Sequence, residues 1–197
     1  AVYNVGATSP TSSNSYFAFG ETETKEVYAD ITYKWASEKS KANPTALFET
    51  TKYTGRIPNR EGFIDGLTEL LPEDDAATAN WGEDWVTPSM NEWKTLYNSC
   101  DWVWVENFND SGVDGMLGTS KNNGNTLFLP DAGYRQDDEL YDTSLLGRTL
   151  YMTNTIDVMT NSGYTNLDAT IERQRLVTFN TISRSVGKLV RPVAKKK

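Results

Sequence analysis

Arg184-Ser185-Val186-Gly187-Lys188-Leu189-Val190-Arg191-Pro192-Val193 runs near the end of the chain as an alternation of apolar and polar residues. Such alternation reads as a β-strand, because successive side chains on a strand point to opposite faces. The pattern extends upstream through Val177-Thr178-Phe179-Asn180 and Gly147-Arg148-Thr149-Leu150-Tyr151-Met152-Thr153-Asn154-Thr155. Strands are predicted over 149–156, 173–180 and 186–192. Residues 157–172 read as a long connection with Asn161-Ser162-Gly163 as its turn. In this arrangement the apolar and glycine positions hold the strands, and the positions between them face a partner. Those positions are Tyr151, Met152, Asn154, Arg173, Arg175, Thr178, Thr181, Ser183, Arg184, Ser185 and Lys188. The strand period sends them to the face opposite the core, which predicts a display segment at about 147–189.

Working outward, Thr126-Leu127-Phe128-Leu129-Pro130 is a strand preceded by the turn signal Asn122-Asn123-Gly124-Asn125. Asp101–Val105 alternates Trp102 and Trp104 with Val103 and Val105, another strand. Residues 107–118 read as a turn-rich crossing, and 136–147 as an acidic loop. Ser89 and Glu92 have capping-box spacing, and Trp93, Leu96 and Tyr97 form one apolar face, so a helix runs from Ser89 and ends at Cys100. Pro72-Glu73-Asp74-Asp75 reads as a short helix start with acids in its first turn, in preference to a Ca²⁺ site, since the spacing is not that of an EF-hand loop. Ala1–Gly6 and Tyr16–Phe19 read as short strands. Residues 21–60 read as a long excursion pinned by aromatic rings. The picture is an α+β domain over 1–197, mostly antiparallel, with one or two early helices and long loops.

Composition narrows function. The chain has 197 residues, a net charge of -8, one cysteine and no histidine. An acidic chain whose only basic run is Lys195-Lys196-Lys197 is a poor match for nucleic acid. Without histidine there is no Ser-His-Asp or Cys-His site, and a catalytic zinc site is disfavoured. No apolar run reaches the length of a membrane span, so no membrane insertion by this chain is expected. It begins at Ala1 rather than Met, which reads as a processed or trimmed form.

Several motifs occur in a fixed order: Phe17-Ala18-Phe19-Gly20-Glu21-Thr22, Pro72–Ala77, Trp81-Gly82-x-x-Trp85-x-Thr87-Pro88, Glu92-Trp93-x-x-Leu96, Cys100-x-Trp102-x-Trp104, Leu127-Phe128-Leu129-Pro130-x-Ala132-Gly133-Tyr134-Arg135 and Val190-Arg191-Pro192-Val193. In this order they resemble the Fibrobacter succinogenes major paralogous domain family of surface proteins from gut Bacteroidetes. The resemblance implies a C-type-lectin-like fold, on the same side as formylglycine-generating enzyme. It departs at Tyr151-Met152-Thr153-Asn154-Thr155, where the family usually has Tyr-Trp-Ser-Ser-Thr. Framework positions kept while exposed ones drift resemble the variable proteins of diversity-generating retroelements.

The resemblance implies a non-catalytic ligand-binding domain, an adhesin or receptor-binding module at the cell surface or on a phage virion, with a protein or glycan partner. The alternatives are a structural subunit or tip module of a fibre or phage tail, and a carboxylate-based enzyme. Formylglycine-generating chemistry resembles a copper-bound cysteine pair, and Cys100 has no second thiol. No catalytic residue, metal or cofactor is assigned. Three further expectations follow. Val2–Val5 lies beside Val190–Val193. Trp81, Trp85, Trp93, Trp102, Trp104 and Arg191 are framework. Arg173, Arg175, Arg184 and Lys188 form a basic patch for an anionic ligand.

Overall fold

The computed structural model describes residues 1–43, 49–55, 58, 62–142, 148–156, 165–172 and 175–195, with backbone alone at 148–149, 165–166, 171–172 and 175–177. Among these, the architecture is α+β with mostly antiparallel pairing.

The helices are short and capped by their own sequence. α1 (Glu38–Ala42) begins at Ser37, whose hydroxyl accepts from the Ser40 amide. α2 (Ala76–Trp81) begins at Asp75, which accepts from the Ala77 amide. Asp75 also takes the Thr87 amide and hydroxyl, at 2.9 and 2.6 Å. Asp74, in a 3-10 turn just before, takes Lys34, Lys52 and the Tyr53 hydroxyl. Two of the three acids of the cluster, Asp74 and Asp75, are therefore turned into the framework, while Glu73 is exposed. Burial alone would raise the Asp74 carboxyl, but hydrogen bonds from Lys52, Tyr53 and Lys34 outweigh it and hold it below the usual carboxylate range. β1 (Trp85–Val86) leads to α3 (Met90–Asn98), where Ser89 and Glu92 form the expected capping box. Trp93 is the buried anchor of α3, and its indole N–H donates to the Met152 carbonyl at 3.2 Å. The helix stops at Asn98, and Cys100 opens the next strand instead of ending the helix.

β2 (Cys100–Val105), β3 (Gly115–Ser120) and β4 (Thr126–Pro130) form an antiparallel meander. β3 takes the last four residues, 115–118, of the expected turn-rich crossing, while 107–114 is irregular as expected. Its two glycines weaken its strand signature, yet packing demands them. A Cβ on Gly118 would lie 2.6 Å from the Trp102 ring, and one on Gly115 would run into the β4 backbone. The acidic loop is also a correction, because β5 (Tyr134–Gln136) and β6 (Glu139–Tyr141) make a hairpin there. β7 (Arg148–Ile156), β8 (Thr165–Glu172) and β9 (Arg175–Ser183) form the third antiparallel set. β8 occupies half of the predicted connection; the turn at 161–163 lies outside the described residues. Residues 186–192, predicted as a strand, make single bridges with Arg135, Phe17 and Tyr151. β10 (Val193–Ala194) pairs with β1.

The core lies on both sides of one backbone layer. Tyr16, Ala18, Tyr151 and Leu189 face a cluster containing Trp93, Met116 and Leu129. Their chain neighbours Phe17, Phe19, Met152 and Val190 face a second cluster with Val5, Tyr53 and Ile156. Alternation is present as predicted, but each face meets a core.

The two ends of the described chain meet. The Val5 amide donates to the Val190 carbonyl at 2.9 Å. Arg191 is a hub: its guanidinium donates to the Asn4 side chain and to the carbonyls of Val2 and Phe128. That is the structural role expected of it.

Candidate functional site

The predicted contact residues separate into three groups. Tyr151, Met152, Arg184, Ser185 and Lys188 are buried, so their expected exposure is corrected. Tyr151 packs against Trp93 with ring centroids 5.4 Å apart and planes tilted by 45°, and Met152 belongs to the second cluster. Arg184 lies 5.5 Å from the Phe19 ring. Lys188 sits 2.9 Å from Asp168 of β8, with both side chains fully enclosed. Burial lowers the Lys188 pKa, and the Asp168 charge opposes that. The basic patch is corrected with them, because two of its four cations are enclosed. Arg173 lies outside the described residues, and of Arg175 only the backbone is described.

The third group reaches the surface. Thr181 is exposed, and Asn154, Thr178 and Ser183 are half-buried. Thr181 and Ser183 line a groove of about 600 Å³, with the buried Ser185 at its base. Asn154 and Thr178 are not part of it.

Three separate segments build the groove. Its first wall is the 28–31 turn, with Ile31 at 49% exposure. The second is the β5–β6 tip, Gln136 and Asp137. Asp137 turns the chain with φ of 54°, a left-handed conformation that Asp tolerates better than most residues. The tip is clamped to the first wall: Tyr28 N–H donates to the Asp137 carbonyl at 2.7 Å, and Asp137 N–H donates back at 3.0 Å. The third wall is the end of β9 with Ser185 and Val186. Gly187 and Arg135 exchange backbone hydrogen bonds, both at 2.8 Å, and so hold this wall against β5.

Asp30 ties the walls together. Ser185 donates to its Oδ1 at 2.6 Å and Ser183 to the same oxygen at 3.2 Å. The groove thus presents hydroxyls, an exposed isoleucine and two carboxylates, and no Lys or Arg lines it. The negative field reaches the hairpin, where the Glu139 charge, slight burial and then Asp137 raise the Tyr141 phenol. Sequence reasoning found Thr181, Ser183 and Ser185 but missed Tyr28, Asp30 and Ile31. No local signal joins residue 30 to residue 185; only the tertiary fold does.

No family model, curated protein or solved structure matches the chain. Among the described residues no helix is long and apolar enough to cross a membrane.

Proposed function

We propose that this protein is a non-catalytic ligand-binding domain of the adhesin or receptor-binding kind, built on a C-type-lectin-like scaffold and working at a cell or virion surface. The groove between the 28–31 turn, the β5–β6 tip and the end of β9 is its binding site. The observation carrying this reading is the convergence of three sequence-distant segments on one concave, hydroxyl-rich surface. The resemblance drawn from the motif order supports the scaffold, as do the apposed chain ends. Retained from the predicted set are Thr181 and Ser183 as contacts, with Ser185 as their support. The partner is a cell-surface protein or glycan.

The test applies the purified chain and its Thr181→Trp variant to a printed glycan array and to a panel of intact bacterial and epithelial cells. Saturable binding to at least one target is expected, weakened at least tenfold by the substitution at unchanged melting temperature. Absence of saturable binding, or binding indifferent to Thr181→Trp, overturns the reading.

A further inference from the structure

The third sheet has the order β7-β8-β9, so among the described residues β9 has a strand neighbour on one edge only. The outer edge of β7 is different: Tyr151 bridges to Leu189 and Thr155 to Glu69. A strand with one open edge presents alternate backbone N–H and C=O groups without a ladder partner. Open edges of this kind accept added strands.

The groove lies along that edge. Thr181, Ile182 and Ser183 are consecutive and all three line it. Successive side chains of a strand point to opposite faces, so a groove touching three in a row follows the strand's edge and not one of its faces. Three strand residues span about 10 Å, enough to register a short extended peptide.

The opposite wall states the charge of the occupant. Asp30 receives both serine hydroxyls on Oδ1, and among the described residues none donates to its Oδ2. The Asp137 carboxylate, on the second wall, has no ion-pair partner among the described residues. Arg135, next in chain to the groove residue Gln136, directs its guanidinium to the Asp138 carbonyl at 2.9 Å. Two carboxylates facing a groove that no cation lines favour a positive guest.

We infer that the groove accepts an extended peptide segment of a partner protein, added as a strand to the open edge of β9, with a Lys or Arg side chain set between Asp30 and Asp137. This rests on the groove being the binding site and specifies what fills it. The main chain supplies affinity through the β9 edge, and the basic side chain supplies selection. The expected ligand charge is the reverse of the one that the cation-rich C-terminal sequence suggests.

The probes are the blocked peptides acetyl-Thr-Val-Lys-Val-Thr-amide, its Arg and Glu counterparts, and a Lys peptide N-methylated on alternate amides. Each is titrated into ¹⁵N-labelled protein. The Lys and Arg peptides should shift the amides of Thr181, Ile182, Ser183 and Asp137, and added salt should weaken them. The Glu and N-methylated peptides should bind at least tenfold more weakly. Asp137→Asn, and separately Asp30→Asn, should reduce Lys-peptide affinity at least fivefold. Asp137→Asn is the safer variant, because its carboxylate takes no hydrogen bond from the described residues. Equal binding by the Glu peptide, unaltered binding after N-methylation, or no shift at millimolar peptide overturns the inference. If none of the peptides binds while a glycan or cell does so in a Thr181-dependent way, this inference alone falls. If neither binds, the groove as a binding site falls with it.

Discussion

Two adjoining runs, 178–183 and 184–191, both mix polar with apolar side chains and occupy opposite surroundings. In the first, Thr181 is exposed, and Thr178 and Ser183 are half-buried. In the second, every residue from Arg184 to Arg191 is buried, including Arg184, Lys188 and Arg191. The first run has β8 on one edge and nothing from the described strands on the other. The second threads between Phe17, Arg135 and Tyr151, with core clusters on either side. Polar spacing alone does not distinguish a display strand from a central one whose polar groups are paired. What separates them is how many neighbours the fold supplies.

The comparison is broken most directly at its buried members. Trp93→Ala removes the ring against which Tyr151 packs, together with a hydrogen bond to the Met152 carbonyl. A loss of about 3–5 kcal/mol is expected in urea unfolding. Lys188→Met takes the cation away from the enclosed Asp168 carboxylate, for a loss of about 3–5 kcal/mol. Adding Asp168→Leu should restore most of that stability, because the buried charge goes with its partner. An unchanged melting temperature in Lys188→Met would return residue 188 to the surface and revive the basic patch.

The legible parts of the fold were local. The capping box at Ser89 and Glu92 fixed α3, the Trp102–Trp104 alternation fixed β2, and the asparagine-glycine turn placed β4. The illegible parts were decided by distant partners. β3 reads as a crossing because Gly115 and Gly118 carry no strand propensity, and the reason for Gly118 is Trp102 on the neighbouring strand. β8 carries the enclosed Asp168 at its middle, and Lys188, distant in sequence, lies against that carboxylate. For the site, Thr181, Ser183 and Ser185 were legible as hydroxyl-bearing positions between the strands predicted over 173–180 and 186–192. Asp30 was not, since its role depends on a contact across more than 150 residues. Gly118→Ala sharpens this point. A methyl 2.6 Å from an indole ring should cost about 1–3 kcal/mol by overpacking, against an effect near zero if β3 were a loose crossing.

Acid tests the enclosed carboxylate of Asp74. The folded pKa of Asp74 lies below its ordinary 3.8, so its contribution is complete above that value. It is lost as pH falls through the lower, folded value, where the carboxylate that Lys34, Lys52 and Tyr53 hold must take a proton. Urea midpoints followed from pH 5 to pH 2 should fall, and they should fall less steeply in Asp74→Asn. Equal slopes in the two proteins would show that the carboxylate is not held by its donors.

The smallest effects mark the boundary between the two runs. Ser185 and Thr181 are both hydroxyl residues at the groove, four positions apart. Ser185 is buried and donates to Asp30 at 2.6 Å, so Ser185→Ala loses a charge-assisted hydrogen bond, for about 1.5–3 kcal/mol. Thr181 is exposed and has no hydrogen bond from its hydroxyl, so Thr181→Trp should change stability by under about 0.5 kcal/mol. The large indole then occupies the groove without disturbing what holds it together, which is why the same substitution serves as the binding test. If Thr181→Trp destabilised the protein as much as Ser185→Ala, the open edge of β9 would be closed by packing, and 178–183 would belong with 184–191. If Ser185→Ala were neutral, Asp30 would not be the tie between the turn and the strand. The groove would then lose the fixed shape on which a selective site depends. The border between the exposed and the enclosed run of this chain therefore falls between Ser183 and Arg184, where the strand leaves β8.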